Sequence, residues 1–125
     1  MTPVGVVLIL DCNDLEGEAE FWSAALRYRE VHRVDPYLVL MPEEGDGSGL
    51  VLQLQRVPEP KSGKNRLHLD LHVDALAPEV ARLEALGASR LGDDVSREGE
   101  FCWQVMADPE GNEFCVCQHT GARRA

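Results

Sequence analysis

Three ionisable side chains alternate along one short apolar segment: His68, Asp70 and His72 are separated by single leucines. Alternation with a period of two predicts a β-strand over Leu67–Val73 that presents all three on one face. Ionisable groups are costly on such a face unless they are hydrated or paired. The pattern therefore predicts a wet pocket that binds a polar ligand, with His68 or Asp70 as a candidate general base. An internal hydrogen-bond network among these groups is the alternative.

Two further pairs of side chains repeat the same spacing. Gln53 and Gln55 share one face of a predicted strand over Leu50–Val57, where their amides could bind a polar ligand or simply face solvent. Cys115 and Cys117 also share a face, and they could line the pocket or serve as small buried hydrophobic residues. Gln53, Gln55 and Cys115 are therefore candidates for ligand contact, and Cys117 is expected only to share the face of Cys115.

The chain has two tryptophans, and their positions predict different surroundings. Trp22 falls on the apolar stripe of a predicted helix and is expected in the core. Trp103 lies on a predicted strand, Phe101–Ala107, where it could stack on a ligand or pack in the core. Trp103 is therefore a candidate ligand-binding residue.

The elements that must position these residues occur twice, roughly sixty residues apart. Each copy begins with an apolar strand, then an acidic residue predicted to cap a helix, and then shorter strands. The first copy consists of strand Val4–Asp11, Asp14 as cap, helix Leu15–Tyr28, and strands Arg29–Val34, Tyr37–Met41 and Leu50–Val57. The second consists of strand Leu67–Val73, Asp74 as cap, helix Leu76–Gly87, and strands Ala88–Leu91, Phe101–Ala107 and Phe114–Gln118, the last two joined by a turn over Asp108–Asn112. The repeat predicts an α+β fold of two small modules that share one sheet.

Composition narrows the function classes. With 125 residues and 44% hydrophobic residues, the chain has the size of one domain with a real core. Its net charge of -10 disfavours nucleic acid and anionic membranes and favours cationic partners. In a cytoplasmic protein we expect the four cysteines to be reduced thiols, and their spacing contains no CxxC pair and no structural zinc motif. The apolar start has no basic n-region and no run reaches about 20 apolar residues, so we expect a cytoplasmic protein.

Taken in order, several motifs resemble the vicinal-oxygen-chelate superfamily, which includes glyoxalase I, bleomycin-resistance proteins and extradiol dioxygenases. The resemblance is strongest to its uncharacterised glyoxalase-like branch. The motifs are Asp14 with Phe21-Trp22 and Leu26, Arg66-Leu67-His68-Leu69-Asp70-Leu71, Leu86-Gly87-Ala88, and Ala107-Asp108-Pro109-Glu110-Gly111-Asn112-Glu113-Phe114. The resemblance implies paired βαβββ modules that form a cup, with helices outside. It places one domain over 1–120, with modules at about 4–58 and 66–118, a linker over 58–65 and a flexible tail over 121–125.

The resemblance also implies four positions for metal ligands, one from the first and one from the last strand of each module. In this chain they hold Val7, Gln53 (or Gln55, because the register is open), His68 and Cys115. Valine cannot bind a metal, and a glutamine offers only a neutral oxygen. We therefore expect no metal, with a zinc, iron or nickel site at His68, Gln53 and Cys115 as the alternative.

Two functions remain open after these arguments. The first is binding of a small molecule in the cup without an intact metal site, with cationic ligands favoured by the acidic charge balance. The alternative is a metal-dependent lyase, isomerase or dioxygenase that acts on a substrate with vicinal oxygens. The resemblance further implies a homodimer.

Overall fold

A computed structural model of the chain describes residues 6–44 and 49–119. Among these residues it contains two helices and two mixed sheets, which confirms the predicted α+β class. The chain divides into two compact units, Met1–Lys61 and Ser62–Ala125. Neither of the described helices combines the length and the apolar character that crossing a membrane requires. The predicted start at Val4 and the predicted tail over 121–125 lie outside the described residues.

The first unit follows the predicted strand–helix–three-strand pattern. Its strands lie in the order β1-β4-β3-β2, with β1 parallel to β4 and the other pairs antiparallel. The elements are β1 (Leu8–Cys12), α1 (Leu15–Leu26), β2 (Tyr28–Val34), β3 (Tyr37–Pro42) and β4 (Leu52–Arg56). The described part of β1 starts later than predicted because its register with β4 begins at the pair Leu8–Leu52.

Helix α1 begins where the sequence predicts and ends earlier. The N–H of Gly17 donates to the side chain of Asp14 at 3.1 Å, which confirms Asp14 as the N-cap. Trp22 is 2% exposed on the buried face of the helix, as predicted. Arg27 adopts a left-handed conformation with φ 58°, so the helix stops at Leu26 and Tyr28 already belongs to β2.

The predicted alternation along β4 is confirmed. Leu52 and Leu54 are 3% and 0% exposed, whereas Gln53 and Gln55 are half-buried and lie together on the opposite face. Gln53 pairs in register with Ile9 of β1 and with Val39 of β3. The two amides therefore belong to the face of the first sheet that also carries Ile9, which is 55% exposed.

The second unit repeats the same topology with one added strand. Its main strand order is β5-β9-β8-β6, β5 is parallel to β9, and β7 also pairs with β8. The elements are β5 (Asp70–His72), α2 (Leu76–Leu86), β6 (Ser89–Arg90), β7 (Ser96–Glu98), β8 (Phe101–Ala107) and β9 (Glu113–His119). In both units the first strand thus lies parallel to the last, which supports the repeat seen in the sequence.

The predicted cap of α2 is wrong. The N-cap position is Ala75, not Asp74, and it makes no side-chain capping hydrogen bond. Instead, the N–H of Leu76 donates to the side-chain oxygen of Gln118 on β9 at 2.6 Å. A residue distant in sequence therefore satisfies one of the helix's first donors. The end of the helix is as predicted, because Gly87 adopts φ 119°, where a glycine is favoured.

Candidate functional site

One face of the second sheet carries polar and aromatic side chains from the three strands β5, β8 and β9. Phe101 and Trp103 of β8 pair in register with His119 and Cys117 of β9, so these four lie on the same face. The alternate residues of these two strands lie on the opposite face and are all buried: Cys102, Gln104, Met106, Phe114 and Val116. We call the first face, which also carries Asp70 and His72 of β5, the open face.

A cavity of about 460 Å³ lies over the open face. Its volume is within the range of roughly 300–1,000 Å³ that is usual for small-molecule sites. The described residues that line it are His68, Asp70, Glu98, Phe101, Trp103, Cys115 and Cys117. Aromatic rings, carboxylates and thiols therefore meet in one concave site.

The structure brings most of the sequence-predicted site residues together. His68, Asp70, Trp103 and Cys115 all line the cavity. His72 lies on the same face, paired in register with Cys117. The remaining three predicted positions belong to the first unit: Gln53 and Gln55 are half-buried on β4, and Val7 is 50% exposed. Contact between the two glutamines and a ligand stays a prediction, and Val7 is the position at which no metal ligand was expected.

His68 reaches the cavity from a different backbone position than predicted. Strand β5 begins only at Asp70, so His68 lies before it, and Leu67 is 76% exposed instead of facing the core. Before the strand, the N–H of Asn65 donates to the side chain of Glu113, and the N–H of Cys115 donates to Leu69 O, each at 2.9 Å. His68 Nε2 nevertheless lies 3.3 Å from Asp70 Oδ1.

Two groups of three side chains on the open face have the donors and the spacing to hold a metal ion. In each group the candidate ligand atoms lie within 4.8 Å of one another. The first trio is His68, Asp70 and Cys115, and the second trio is Asp70, His72 and Cys117. The first trio contains two of the three predicted metal ligands, with the Asp70 carboxylate as its third member. Asp70 therefore takes part in both.

Both thiols of the open face are held in their protonated form. Burial raises the pKa of Cys115, and the adjacent Asp70 carboxylate raises it further by charge repulsion and by accepting a hydrogen bond from the protonated thiol. Burial, with the negative charge of Asp70, raises the pKa of Cys117 to about 12. Neither residue is therefore an activated nucleophile at neutral pH.

The shifted pKa of Cys117 predicts a loss of stability in alkali. Below pH 9 the thiol of Cys117 keeps its proton in both the folded and the unfolded protein. Above pH 9 the thiol ionises in the unfolded protein but stays protonated in the folded one. The free energy of unfolding therefore falls as the pH rises towards 12. We expect this slope to be shallower in Cys117→Ala, measured by urea denaturation at several pH values between 8 and 10.5. Equal slopes in the two proteins would contradict the assignment.

Three residues of the cavity were not selected from the sequence as binding residues. Phe101 shares its face with Trp103 by simple alternation, and Cys117 shares its face with Cys115, so the same pattern could have identified both. Glu98 carried no such signal. It lies on β7, which the sequence did not predict, and it reaches the open face only through its register with Phe101.

Comparison with known proteins agrees with this architecture. The family model of the glyoxalase-like domain matches residues 7–117. No curated protein matches the chain. Among solved structures, a glyoxalase/bleomycin resistance protein/dioxygenase family enzyme from Burkholderia phytofirmans is similar, with a TM-score of 0.73, 17% identity, and coverage of 90% of this chain and 96% of that chain. The genomically encoded fosfomycin resistance protein FosX from Listeria monocytogenes has a TM-score of 0.76 at 15% identity, with 96% of each chain covered.

A third similar structure is a glyoxalase-related enzyme from Fulvimarina pelagi, with a TM-score of 0.68 at 21% identity and coverage of 93% of this chain and 89% of that chain. At these identities the solved structures establish the fold alone. The match to the family model covers most of the chain and carries the assignment, which confirms the resemblance seen in the sequence. The chain belongs to the glyoxalase-like domain family.

Proposed function

We propose that the second unit of this glyoxalase-like chain binds a small organic cation in the cavity over its open face. The observation that carries the proposal is the pairing of two aromatic rings with two carboxylates in one cavity. Phe101 and Trp103 lie with ring centroids 5.6 Å apart, and Asp70 and Glu98 line the same space. A cation held over such rings gains about 0.5–2 kcal/mol, depending on its desolvation.

The charge of the site and of the chain supports the same ligand class. The described residues that line the cavity include two carboxylates and no lysine or arginine, and the charge of Lys64 has only the smallest effect on the pKa of Cys115. The net charge of -10 attracts cations over a longer range. The two carboxylates can then form charge-assisted hydrogen bonds with an ammonium or guanidinium group.

Tryptophan fluorescence gives a direct test of cation binding. We expect members of a panel of quaternary ammonium, polyamine and guanidinium compounds to quench the wild-type protein, because Trp103 lines the cavity. The Trp103→Phe variant keeps only Trp22, which is 2% exposed in the first unit, so its fluorescence should not respond. Matched anionic compounds should have no effect.

Variants that remove one negative charge distinguish a direct contact with the ligand from the attraction of the protein's net charge. Glu98→Gln should weaken cation binding about tenfold, which corresponds to about 1.4 kcal/mol. Glu20→Gln removes the same charge from α1 and should leave the affinity within about twofold of wild type, because Glu20 is not among the described residues that line the cavity. Equal effects of the two variants, or no response to any cation in the panel, would contradict the proposal.

A second candidate function, metal-dependent catalysis, is favoured by the first trio. The residues fit a divalent ion, because the ligand atoms of an imidazole, a carboxylate and a thiol lie within 4.8 Å of one another. The ion would replace the thiol proton with which Cys115 donates a hydrogen bond to Asp70. This donor set suits zinc, iron or nickel better than magnesium or manganese. Such an ion would polarise the oxygen atoms of a substrate. His68, Asp70 and Cys115 would hold it, and Trp103 and Phe101 would exclude water from one side.

Metal content tests this second candidate. If the first trio is the metal site, protein purified without chelators would hold about one zinc, iron or nickel ion per chain, and His68→Ala would lose it, because one of only three protein ligands would be missing. His32→Ala, which removes an exposed histidine of the first unit, is the matched control. Metal content that is unchanged in His68→Ala would rule out the first trio as the site.

A further inference from the structure

All three residues of the second trio lie on paired strands of the second sheet. His72 and Cys117 face each other in register across the parallel pair β5 and β9, and the N–H of Val73 donates to Cys117 O at 2.9 Å. Asp70 precedes His72 by two residues on the same face. In the first trio, by contrast, His68 lies before the strand begins. Ligands carried by paired strands are positioned more precisely than ligands from irregular segments.

Two rings lie beside His72 on the open face. Its ring centroid lies 6.1 Å from that of Phe101 and 6.5 Å from that of His119, with the two imidazoles inclined by 23°. Phe101 and His119 also contact each other, with centroids 5.1 Å apart. These two rings therefore lie beside the imidazole of His72, whose ligand atom lies within 4.8 Å of that of Cys117.

The donors of the second trio specify the class of ion. Cys117 is 1% exposed, and a thiolate buried to that extent needs a cationic partner. One sulfur, one imidazole nitrogen and one carboxylate oxygen make a mixed set that zinc and its neighbours prefer, whereas calcium and magnesium require oxygen ligands. Asp70 and Cys117 both line the cavity, so a fourth coordination position would face it.

We propose that Asp70, His72 and Cys117 form a binding site for a zinc-class divalent cation with one coordination position open towards the cavity. The site is distinct from the first trio, because it shares only Asp70 with it and is displaced by two residues along both strands. It does not depend on the binding of an organic cation. A water molecule or a ligand in the cavity completes the coordination.

Cobalt titration tests this site, because a thiolate bound to Co²⁺ produces a charge-transfer band in the near ultraviolet. The reduced full-length chain is titrated with Co²⁺ alone and then with Zn²⁺ as competitor. We expect a band in the wild type that zinc abolishes, the same band in Cys115→Ser, and no band in Cys117→Ser. Loss of the band in Cys115→Ser with retention in Cys117→Ser would place the ion at the first trio and overturn the proposal, as would a wild-type protein that binds neither ion at micromolar concentration.

Histidine variants keep the test valid if the buried Cys117→Ser protein folds poorly. His72 is exposed, so His72→Gln should fold normally, and circular dichroism checks this. We expect His72→Gln to bind Zn²⁺ at least tenfold more weakly in equilibrium dialysis, and His68→Gln to stay within twofold of wild type. The reverse order would overturn the proposal. Failure here leaves the Trp103 fluorescence response to organic cations untouched, so the two proposals fail separately.

Discussion

Replacing Phe114 with alanine is expected to lower the free energy of unfolding by about 3–5 kcal/mol, the usual cost of emptying a buried aromatic position. Phe114 is 1% exposed and lies on the buried face of β9, between the strands β5 and β8 that pair with it. The neighbouring core residues Met106 and Val116 are both fully buried, so the surroundings have little freedom to collapse into the space. The variant therefore loses transfer energy and gains a cavity.

The measurement is urea denaturation followed by circular dichroism. Leu67→Ala is the control, because Leu67 is 76% exposed and its truncation should change the free energy of unfolding by less than about 0.5 kcal/mol. A loss below about 1 kcal/mol in Phe114→Ala would mean that β9 is not the central strand of a packed second unit, because full burial of an aromatic ring is worth more than that. Since β9 also carries Cys115 and Cys117, the same variant should lower the affinity of the open face for any ligand.

Replacing Asp108 with alanine should cost about 2–4 kcal/mol, because it removes a buried carboxylate that several donors share. Asp108 is 3% exposed at the end of β8. Its carboxylate accepts hydrogen bonds from the N–H of Glu110 and from the N–H of Asn112, each at 2.9 Å. The side-chain amide of Asn112 donates to both of its oxygens, at 3.2 and 3.0 Å. Alanine leaves the buried amide of Asn112 without this acceptor.

Asp108→Asn serves as the matched variant. Its amide oxygen can still accept from the turn while its charge is gone, so we expect a loss of about half that of the alanine variant, as neutral hydrogen bonds are weaker. Thermal and urea unfolding of the three proteins give the comparison. If the alanine and asparagine variants lost the same stability, the carboxylate charge and not the pattern of acceptors would hold the turn between β8 and β9.

Local sequence signals account for the elements of the fold. Asp14 caps α1 by accepting from a donor only three residues away, and Gly87 ends α2 by its own backbone conformation. The residues that start α1 and end α2 can therefore be identified from short segments of sequence. Strand β8 occupies the predicted residues without change. Alternation also placed Asp70 and His72 on one face, because successive residues of a strand point to opposite sides. The repeat of two strand–helix–strand modules can therefore be recognised in the amino-acid sequence alone.

The pairing of distant strands decided what local signals could not. Gln118 supplies the hydrogen bond at the start of α2 that the sequence assigned to Asp74, from 42 residues away. Glu98 joins the cavity only because β7 folds back on β8.

The metal-ligating trios have the same origin. The sequence by itself determined which residues share a face of each strand, since that depends on a period of two. Only the tertiary structure decided that β5 lies parallel to β9 with Asp70 beside Cys115 and His72 beside Cys117. Register between strands some forty residues apart follows from the packing of the whole sheet, because a shift of one residue would turn every side chain to the other face.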